Sequence, residues 1–409
     1  MIKQDNAVFN GYDFSTPVVI LKNEEDSHVG LGIIRSLGRL GVPVYSMISH
    51  PRASASFSRY SHTFYFPRLS PAIPQEELTD YLFEVARRLG RRSILIPTFD
   101  FYARFIARHS ATLKEMFIFP DCNSSLVESL CSKQGLHELA VRHGIPTARS
   151  AFPKSRAELD EFIQNAVFPV IIKPLDWTKL DSMSVKKAIV VHSLKELIEE
   201  TNPGASFNFT NCIFQECIQG DRTQDWMFNG YFDSHSNCLV SFTGKKLRQA
   251  PVYTGYTSLG ECVSNEIVNE TSITFLKKLG YRGIVDIDYR YDPEDGNYKI
   301  LDVNPRVGST FRLFVGFNGL DVIRAMYLDV TGQKIPHDGQ VEGRKWIVED
   351  RDLRSVYLYY RNGDITLLDF LKSLKGIREG AWFALDDPLP FFTRIRDQVV
   401  SRLWPFNRR

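Results

Sequence analysis

The chain has 409 residues, 43% of them hydrophobic and 24% charged, with a formal net charge of +2. That length supports two or three domains with substantial cores, and the near-neutral balance gives no reason to invoke nucleic acid. The six cysteines show no CxxC and no paired ligand spacing, so they read as reduced thiols of a cytoplasmic protein rather than as disulfides or zinc ligands.

From the N-terminus, MIKQDNAVFNGYDF has no apolar signal core, and no later run approaches the ~18 apolar residues of a spanning helix. Residues 17–121 then alternate strand and helix. PVVILK reads as strand, HVGLGIIRSLGRLG as helix, VPVYSMI as strand, EELTDYLFEVARRLG as helix and SILIPT as strand. In the second helix Leu78, Tyr81, Leu82, Val85 and Leu89 recur at i, i+3, i+4, i+7 and i+11, with Gly90 as the stop. Such a βαβ series predicts a parallel sheet. Gly30-x-Gly32 after the first strand invites a dinucleotide reading. Arg35 stands where the third glycine belongs, however, and no acid ends the second strand.

A helix in CSKQGLHELAVRHG, closed by Gly144, leads into a small α+β unit over 146–211. Its pieces are helix RAELDEFIQNA, strand FPVIIKP, a polar loop, strand AIVVH and helix SLKELIEE, the last with a capping box from Ser193 and Glu196. Lys173 interrupts the apolar run VIIKP, which a structural strand gains nothing by doing. The connection CIFQECIQGD, 212–221, offers an edge of backbone with apolar neighbours, as an adenine ring requires. Further on, SFTGKKLRQAP sets Lys246 and Arg248 two apart and so on one face of a strand. Flanked by apolar residues, they suggest an anion; a charged edge strand that resists pairing is the other reading.

The most informative run is KILDVNPRVGSTFR, 299–312. Ile300, Leu301 and Val303 read as strand, and Asp302 and Asn304 alternate with them on one face. Pro305 ends the ladder and Arg306 follows. Upstream, Asp288 lies in the apolar strand GIVDIDY, and the turn DPEDG, 292–296, joins the two as a hairpin. Asp288 and Asp302 are therefore expected to face each other across one sheet and to share Mg2+, which wants oxygen ligands and bridges to phosphates.

This hairpin resembles the metal-binding core of the ATP-grasp superfamily. With Lys173 and the 212–221 connection in the family's order, residues 17–335 resemble its carboxylate–amine ligases, the D-aspartate-ligase-like branch. The resemblance implies an α/β plus α+β protein. It would have an N-terminal parallel βαβ domain (1–125), a linker helix and lid (126–211), an ATP-grasp body with hinge and metal hairpin (212–335), and a partly helical extension (336–409). It implies ATP and Mg2+ or Mn2+ as cofactors, with Asp288, Asp302 and Asn304 on the metal and Lys133 and Lys173 on the phosphates. The main chain of Glu216 and Ile218 would read the adenine, and Gln215 takes the place of a usual Glu. Asp225 would hold the ribose, with Asp221 or Thr223 as alternatives. Arg306, Lys246 and Arg248 become the catalytic cations. His28, Gly30 and Arg59 become candidates for a substrate carboxylate, and Ser309, Thr310 and Arg312 lie near the specificity pocket. Two departures stand out: Asp302 occupies the position of a usual Glu, and the lid loop has no glycine, leaving Ser182, Ser184, Lys186 and Lys187 as donors.

The implied function is an ADP-forming ligase that makes an amide through an acyl phosphate, on a small-molecule carboxylate and an amine such as an amino acid. A silent ATP-binding scaffold is the alternative, and an NAD-dependent oxidoreductase on Gly30-x-Gly32 is a weaker one. A homodimer is open. In the extension, helices are expected in TLLDFLKSLKGI and FFTRIRDQVVSRLW. The second carries Phe392, Ile395, Val399 and Leu403 on one stripe near Arg394, Arg396, Arg402 and Arg408. It reads first as docked on its own chain, with peripheral contact to an anionic membrane as the other reading.

Overall fold

The structure, a computed structural model, describes residues 7–21, 27–175, 189–201, 208–221 and 223–403. Ser182, Ser184, Lys186, Lys187 and Arg408 lie outside the described residues, as do the side chains of Arg402 and Leu403.

The N-terminal unit runs β1 (Val18–Leu21), α1 (His28–Gly38), β2 (Val44–Ile48), β3 (Ser61–Tyr65), α2 (Gln75–Leu89), β4 (Ser93–Pro97), α3 (Asp100–Arg108), α4 (Ser110–Leu113) and β5 (Phe117–Ile118). Its sheet has the order β3-β2-β1-β4-β5 with every neighbour parallel, as the alternating pattern predicts. Val18 to Leu21 are all fully buried, which fits a strand covered on both faces. α2 buries Leu78, Leu82 and Val85 and ends at Gly90, whose φ of 65° is left-handed and suits glycine.

α5 (Ser124–Leu130) and α6 (Lys133–Arg142) lead to the lid. The lid holds β6 (Ser150–Ala151), α7 (Arg156–Gln164), β7 (Val170–Pro174), β8 (Ile189–Val191), α8 (Leu194–Glu200) and β9 (Cys212–Glu216). Its antiparallel sheet has the order β6-β9-β7-β8. β9 therefore belongs to the lid sheet, although the sequence reading begins the body at 212.

The body follows as β10 (Asp225–Phe232), β11 (Cys238–Ala250), β12 (Tyr256–Cys262), α9 (Glu266–Lys278), β13 (Gly283–Asp292), β14 (Asn297–Asn304) and α10 (Val322–Val330). The extension contributes β15 (Lys345–Ile347), α11 (Glu349–Arg361), α12 (Leu367–Leu374), β16 (Ile377–Gly380) and α13 (Leu389–Leu403). The body sheet runs β14-β13-β10-β11-β12-β15-β16, so the extension continues the sheet and is no appendage. One hydrophobic core joins Ile33 and Leu37 of α1 to Phe242, Phe311 and Ile323 of the body and to Trp346 and Trp382 of the extension.

Buried charges secure the same contacts. Arg35 of α1 donates to the Asp387 carboxylate at 2.9 Å, and Ser58 and the Arg59 N–H donate to it as well. Arg39 pairs with Asp386 at 2.9 Å. Arg312 and Arg344 share Glu379, which their charges hold down at about 2 against the effect of burial. α13 docks on its own chain through Arg394 and Gln398 to Asp350, while Phe392, Ile395 and Val399 face outward. Among the described residues no helix is long and apolar enough to cross a membrane.

Arg248 belongs to this structural set. The ladder between β11 and β12 slips between Lys246 and Arg248 and again before Gln249, so the two cations do not share a face as strict alternation predicts. Arg248 points to α11 and forms a two-pronged pair with Asp352 at 2.9 and 2.6 Å, both side chains almost wholly buried, with Ser373 as a third partner. Removing one member of such a pair leaves a buried charge alone, which costs about 3–5 kcal/mol. Asp352→Ala is expected to lose stability on that scale in urea denaturation. Arg248→Met with Asp352→Leu should recover most of it.

Candidate active site

The site begins as a problem of register. Counting from the turn, Asn297 pairs with Asp292, Lys299 with Arg290 and Ile300 with Tyr289. A strict ladder would next put Leu301 opposite Asp288 and send Asp302 and Asn304 to the other face of the sheet. Instead a β-bulge at Leu301 shifts the register, so that Asp288 faces Asp302 and Asp286 faces Asn304. The expected pairing of Asp288 with Asp302 is present, and the extra residue brings it about. Asp286 was missed in the sequence. The signal was there, because GIVDIDY places Asp286 and Asp288 on one face by period-2 alternation.

Like charges opposite each other across a ladder repel. Burial, and then the Asp288 charge, push the Asp286 carboxyl up to about 7. Solvent reaches Asp302 from the cleft. Even so, partial dehydration and then the same Asp288 charge raise it to about 6. Two cations offset the cluster. Lys246 Nζ donates to Asp288 at 2.7 Å, and that carboxylate overcomes burial to hold the amine above its ordinary value. Arg306 donates to Asp100 of α3 at 2.6 Å, to Asn304 Oδ1 at 2.8 Å and to the Val307 carbonyl at 3.0 Å. Thr310 Oγ1 lies 3.4 Å from Asp286, and Asn229 Nδ2 lies 3.3 Å from the same oxygen. At Gly308 an added Cβ would come within 2.5 Å of the Asp286 side chain, so only glycine fits there.

The lid stands over this strand. Lys173 on β7 donates to Gln215 Oε1 at 3.1 Å, and Gln215 donates in turn to Ser150. Lys133, at the start of α6, donates to the Pro174 carbonyl at 2.8 Å. Burial lowers the pKa of both amines, the Lys133 charge lowers Lys173 further, and Asp302 opposes the shift in each. The two lysines and Asp302 of β14 therefore share one electrostatic cleft.

The same hairpin braces the 212–221 connection. Arg290 on β13 donates to the Ile218 carbonyl at 3.2 Å, to the Gly220 carbonyl at 3.0 Å and to Asp225 at 2.8 Å. Lys299 on β14 reaches Glu216 at 2.9 Å and Asp292 at 2.6 Å. Asp225 is buried and also accepts from Gln249, so both of its oxygens are engaged. Neither Arg290 nor Lys299 was singled out in the sequence, although each is a charge inside a strand.

Other candidates lie elsewhere. Arg248 is committed to Asp352, as described. Arg59 sits on the surface, where its Nη1 approaches the Asp386 carbonyl at 3.4 Å and its ring neighbour is Tyr60. Gly30 is buried inside α1, and at Gly32 a Cβ would meet Phe311 at 2.9 Å. Gly32 thus serves close packing of α1 against Phe311 and Arg312. His28 is buried beside Trp346 and Trp382; burial, and then the Arg351 charge, lower it to about 4, so it is neutral. Its Nε2 donates to the Ser309 carbonyl at 3.1 Å. Ser309 thus connects His28 to Thr310 and the acidic cluster.

Among the described residues no group of three or more His, Cys, Asp or Glu side chains is arranged to enclose a metal by itself. The hard oxygen donors of Asp288, Asp302 and Asn304 fit Mg2+, which keeps several waters and takes one or two carboxylates together with substrate phosphates.

The family model for the carbamoyl-phosphate synthase L chain ATP-binding domain matches residues 132–337, half of the chain. A D-aspartate ligase of Enterococcus faecium (strain Aus0004) is 29% identical over 253 residues, which is 58% of this chain and 58% of that ligase, so the chain spans less than two thirds of that relative. The biotin carboxylase domain of 2-oxoglutarate carboxylase from Hydrogenobacter thermophilus, solved with MgADP and bicarbonate, superposes with a TM-score of 0.58 at 14% identity, covering 81% of this chain and 73% of that one. An L-amino acid ligase from Bacillus licheniformis gives 0.57 at 14%, covering 78% and 75%.

The raised carboxyls set a pH dependence. An unfolded aspartate loses its proton near pH ~4, whereas Asp302 and Asp286 keep theirs to about 6 and about 7 in the folded chain. The folded state binds more protons in that window, so stability falls as pH rises from about 4 to about 7. Asp286→Asn should melt higher than the parent at pH ~8 without divalent cations, and its advantage should shrink by pH ~5. Thermal melts at both pH values measure this, and an advantage independent of pH would contradict it.

Proposed function

The chain belongs to the family of the carbamoyl-phosphate synthase L chain ATP-binding domain, an ATP-grasp family, and on that premise we propose that it is an ATP-dependent, ADP-forming carboxylate–amine ligase. The observation that carries this reading is the β13–β14 hairpin. There, Asp286, Asp288, Asp302 and Asn304 converge opposite the lid lysines with Arg306 at the strand end.

The adenine would lie along the 212–221 connection. The Glu216 N–H is taken by the Arg149 carbonyl and the Ile218 carbonyl by Arg290. This leaves the Glu216 carbonyl and the Ile218 N–H, two residues apart, as the acceptor and donor for its edge. The ribose hydroxyls fall to Asp225, which would have to give up a present partner, or to Asp221 or Thr223 at the end of the connection. Lys133 and Lys173 would exchange their present carbonyl and amide partners for phosphate oxygens, and their dehydrated amines gain most from an anion. Asp288, Asp302 and Asn304 would hold Mg2+ or Mn2+, which would neutralise phosphate charge as the phosphoryl group moves.

The substrate carboxylate would attack the γ-phosphorus in line, giving an acyl phosphate and ADP. Arg306 then faces the transferred phosphate and, when the amine attacks the acyl carbon, the oxyanion, which collapses to the amide as the C–O bond breaks, inorganic phosphate leaves and the amine gives up a proton. Lys246 neutralises the same region from the floor of the sheet. Lid closure keeps water from the acyl phosphate. An amino acid is the substrate class supported by the names of the relatives, a D-aspartate ligase and an L-amino acid ligase. Thr310 and Ser309, beside the acidic cluster, are the candidates to contact it.

The test is ADP release from ATP and Mg2+ with a panel of amino acids, as carboxylate and as amine. Release that requires both partners supports the ligase; nucleotide binding without release, by calorimetry, supports a silent binder. Arg306→Ala is expected to cut turnover by ~10²–10³ while MgADP still binds, since it removes one preorganised donor. Turnover at the parent rate would take Arg306 out of the chemistry.

A further inference from the structure

We propose that Asp100 is a positioning residue, which reaches from the N-terminal unit to hold the Arg306 guanidinium clear of the metal-side carboxylates. The role of Arg306 in turnover rests on the ligase reading; the place where Arg306 is held does not.

Arg306 lies among several acceptors. Its charge feels Asp100, Asp286 and Asp302, and its hydrogen bonds go to Asp100, Asn304 and the Val307 carbonyl. Asp100 is the one carboxylate of that group outside the hairpin, at the first turn of α3. The pair is a poor choice for stability alone. The Asp100 side chain is 42% exposed while that of Arg306 is 17% exposed, so solvent screens the pair from one side and weakens what it adds to stability. Its charge is also unfavourable where it stands, because it helps raise Asp302 and lies beside a cleft meant for phosphate. Asn304 Oδ1, which accepts from Arg306, is also the oxygen proposed for the metal, so loading the hairpin competes with that bond. Asp100 and the Val307 carbonyl are then what keeps the guanidinium in place. Without Asp100 the neighbouring anions are Asp302 and Asp286, and an arginine paired with Asp302 would occupy one of the proposed metal ligands.

Three readouts decide the matter in the full chain. In nitrogen-15 spectra the Arg306 Nε–H, assigned with Arg306→Lys, should be protected and shifted downfield, and Asp100→Ala should abolish that signature. Mn2+ affinity in the presence of ADP should fall ~10-fold or more in Asp100→Ala, the scale of losing a group that orients a metal ligand. Turnover should drop ~10- to 100-fold with little change in the KM for ATP, and Asp100→Glu should recover part of it. Asp100→Asn, which keeps the side-chain shape, covers the case in which the alanine variant misfolds. An unchanged Nε–H signal with Mn2+ affinity within about twofold of the parent overturns the proposal. If even the parent releases no ADP, the ligase reading fails, and the first two readouts still decide for Asp100.

Discussion

Everything in the cleft follows from one unfavourable contact, the pairing of Asp288 with Asp302 across the β13–β14 ladder while Asp286 lies next to them. Opposed carboxylates cost stability in a sheet. The fold meets that cost in two ways. Protons remain on Asp286 and Asp302 to higher pH, and Lys246 and Arg306 approach from the two sides. Neither remedy is complete, and a hard divalent cation would complete it. The cluster is therefore a place where the local rules of sheet formation are broken together, as occurs at functional sites.

The hairpin that holds this repulsion also sets the geometry of the lid connection. Arg290 and Lys299 leave the same two strands and fasten Ile218, Gly220, Asp225 and Glu216. A nucleotide spanning the cleft would touch the connection with its base and the hairpin with its phosphates. Rigid links between the two ends fix the span, so the entropy of positioning is met by folding. Lys299, shared among Glu216, Asp292 and Asp295, also closes the hairpin turn itself.

Much of this was legible in the sequence, and the exceptions have physical causes. The parallel N-terminal sheet, the lid elements and the helix stops followed from period and from glycine. The pairing of Asp288 with Asp302 could be foreseen because apolar strands do not carry carboxylates without reason. Asp286 was overlooked although it obeys the same alternation as Asp288. Two irregularities were invisible. The bulge at Leu301 brings Asp302 to the right face, so the correct pairing depends on a departure from the ladder that supports it. The slip beyond Lys246 sends Arg248 to Asp352, so strict alternation failed there. Asp100 and the Asp386–Asp387 clamp are contacts between residues over two hundred positions apart, for which no local pattern exists.

The extension shows why a match confined to 132–337 understates the folded unit. β15 and β16 complete the body sheet, Asp387 and Asp386 neutralise Arg35 of α1 and Arg39 at its end, and Glu379 joins Asp321 of the body on Arg312 in the 308–313 segment. That segment runs directly from Arg306 through Gly308 and Thr310, the residues packed on Asp286. Its other side is held by α1, where Gly32 admits Phe311, and by Trp346 of the extension through His28. The wall beside the acidic cluster thus has three sources of support, and two of them lie outside the family's ATP-binding segment. A change in the extension can therefore reach Ser309 and Thr310 through packing alone, without touching a nucleotide-binding residue.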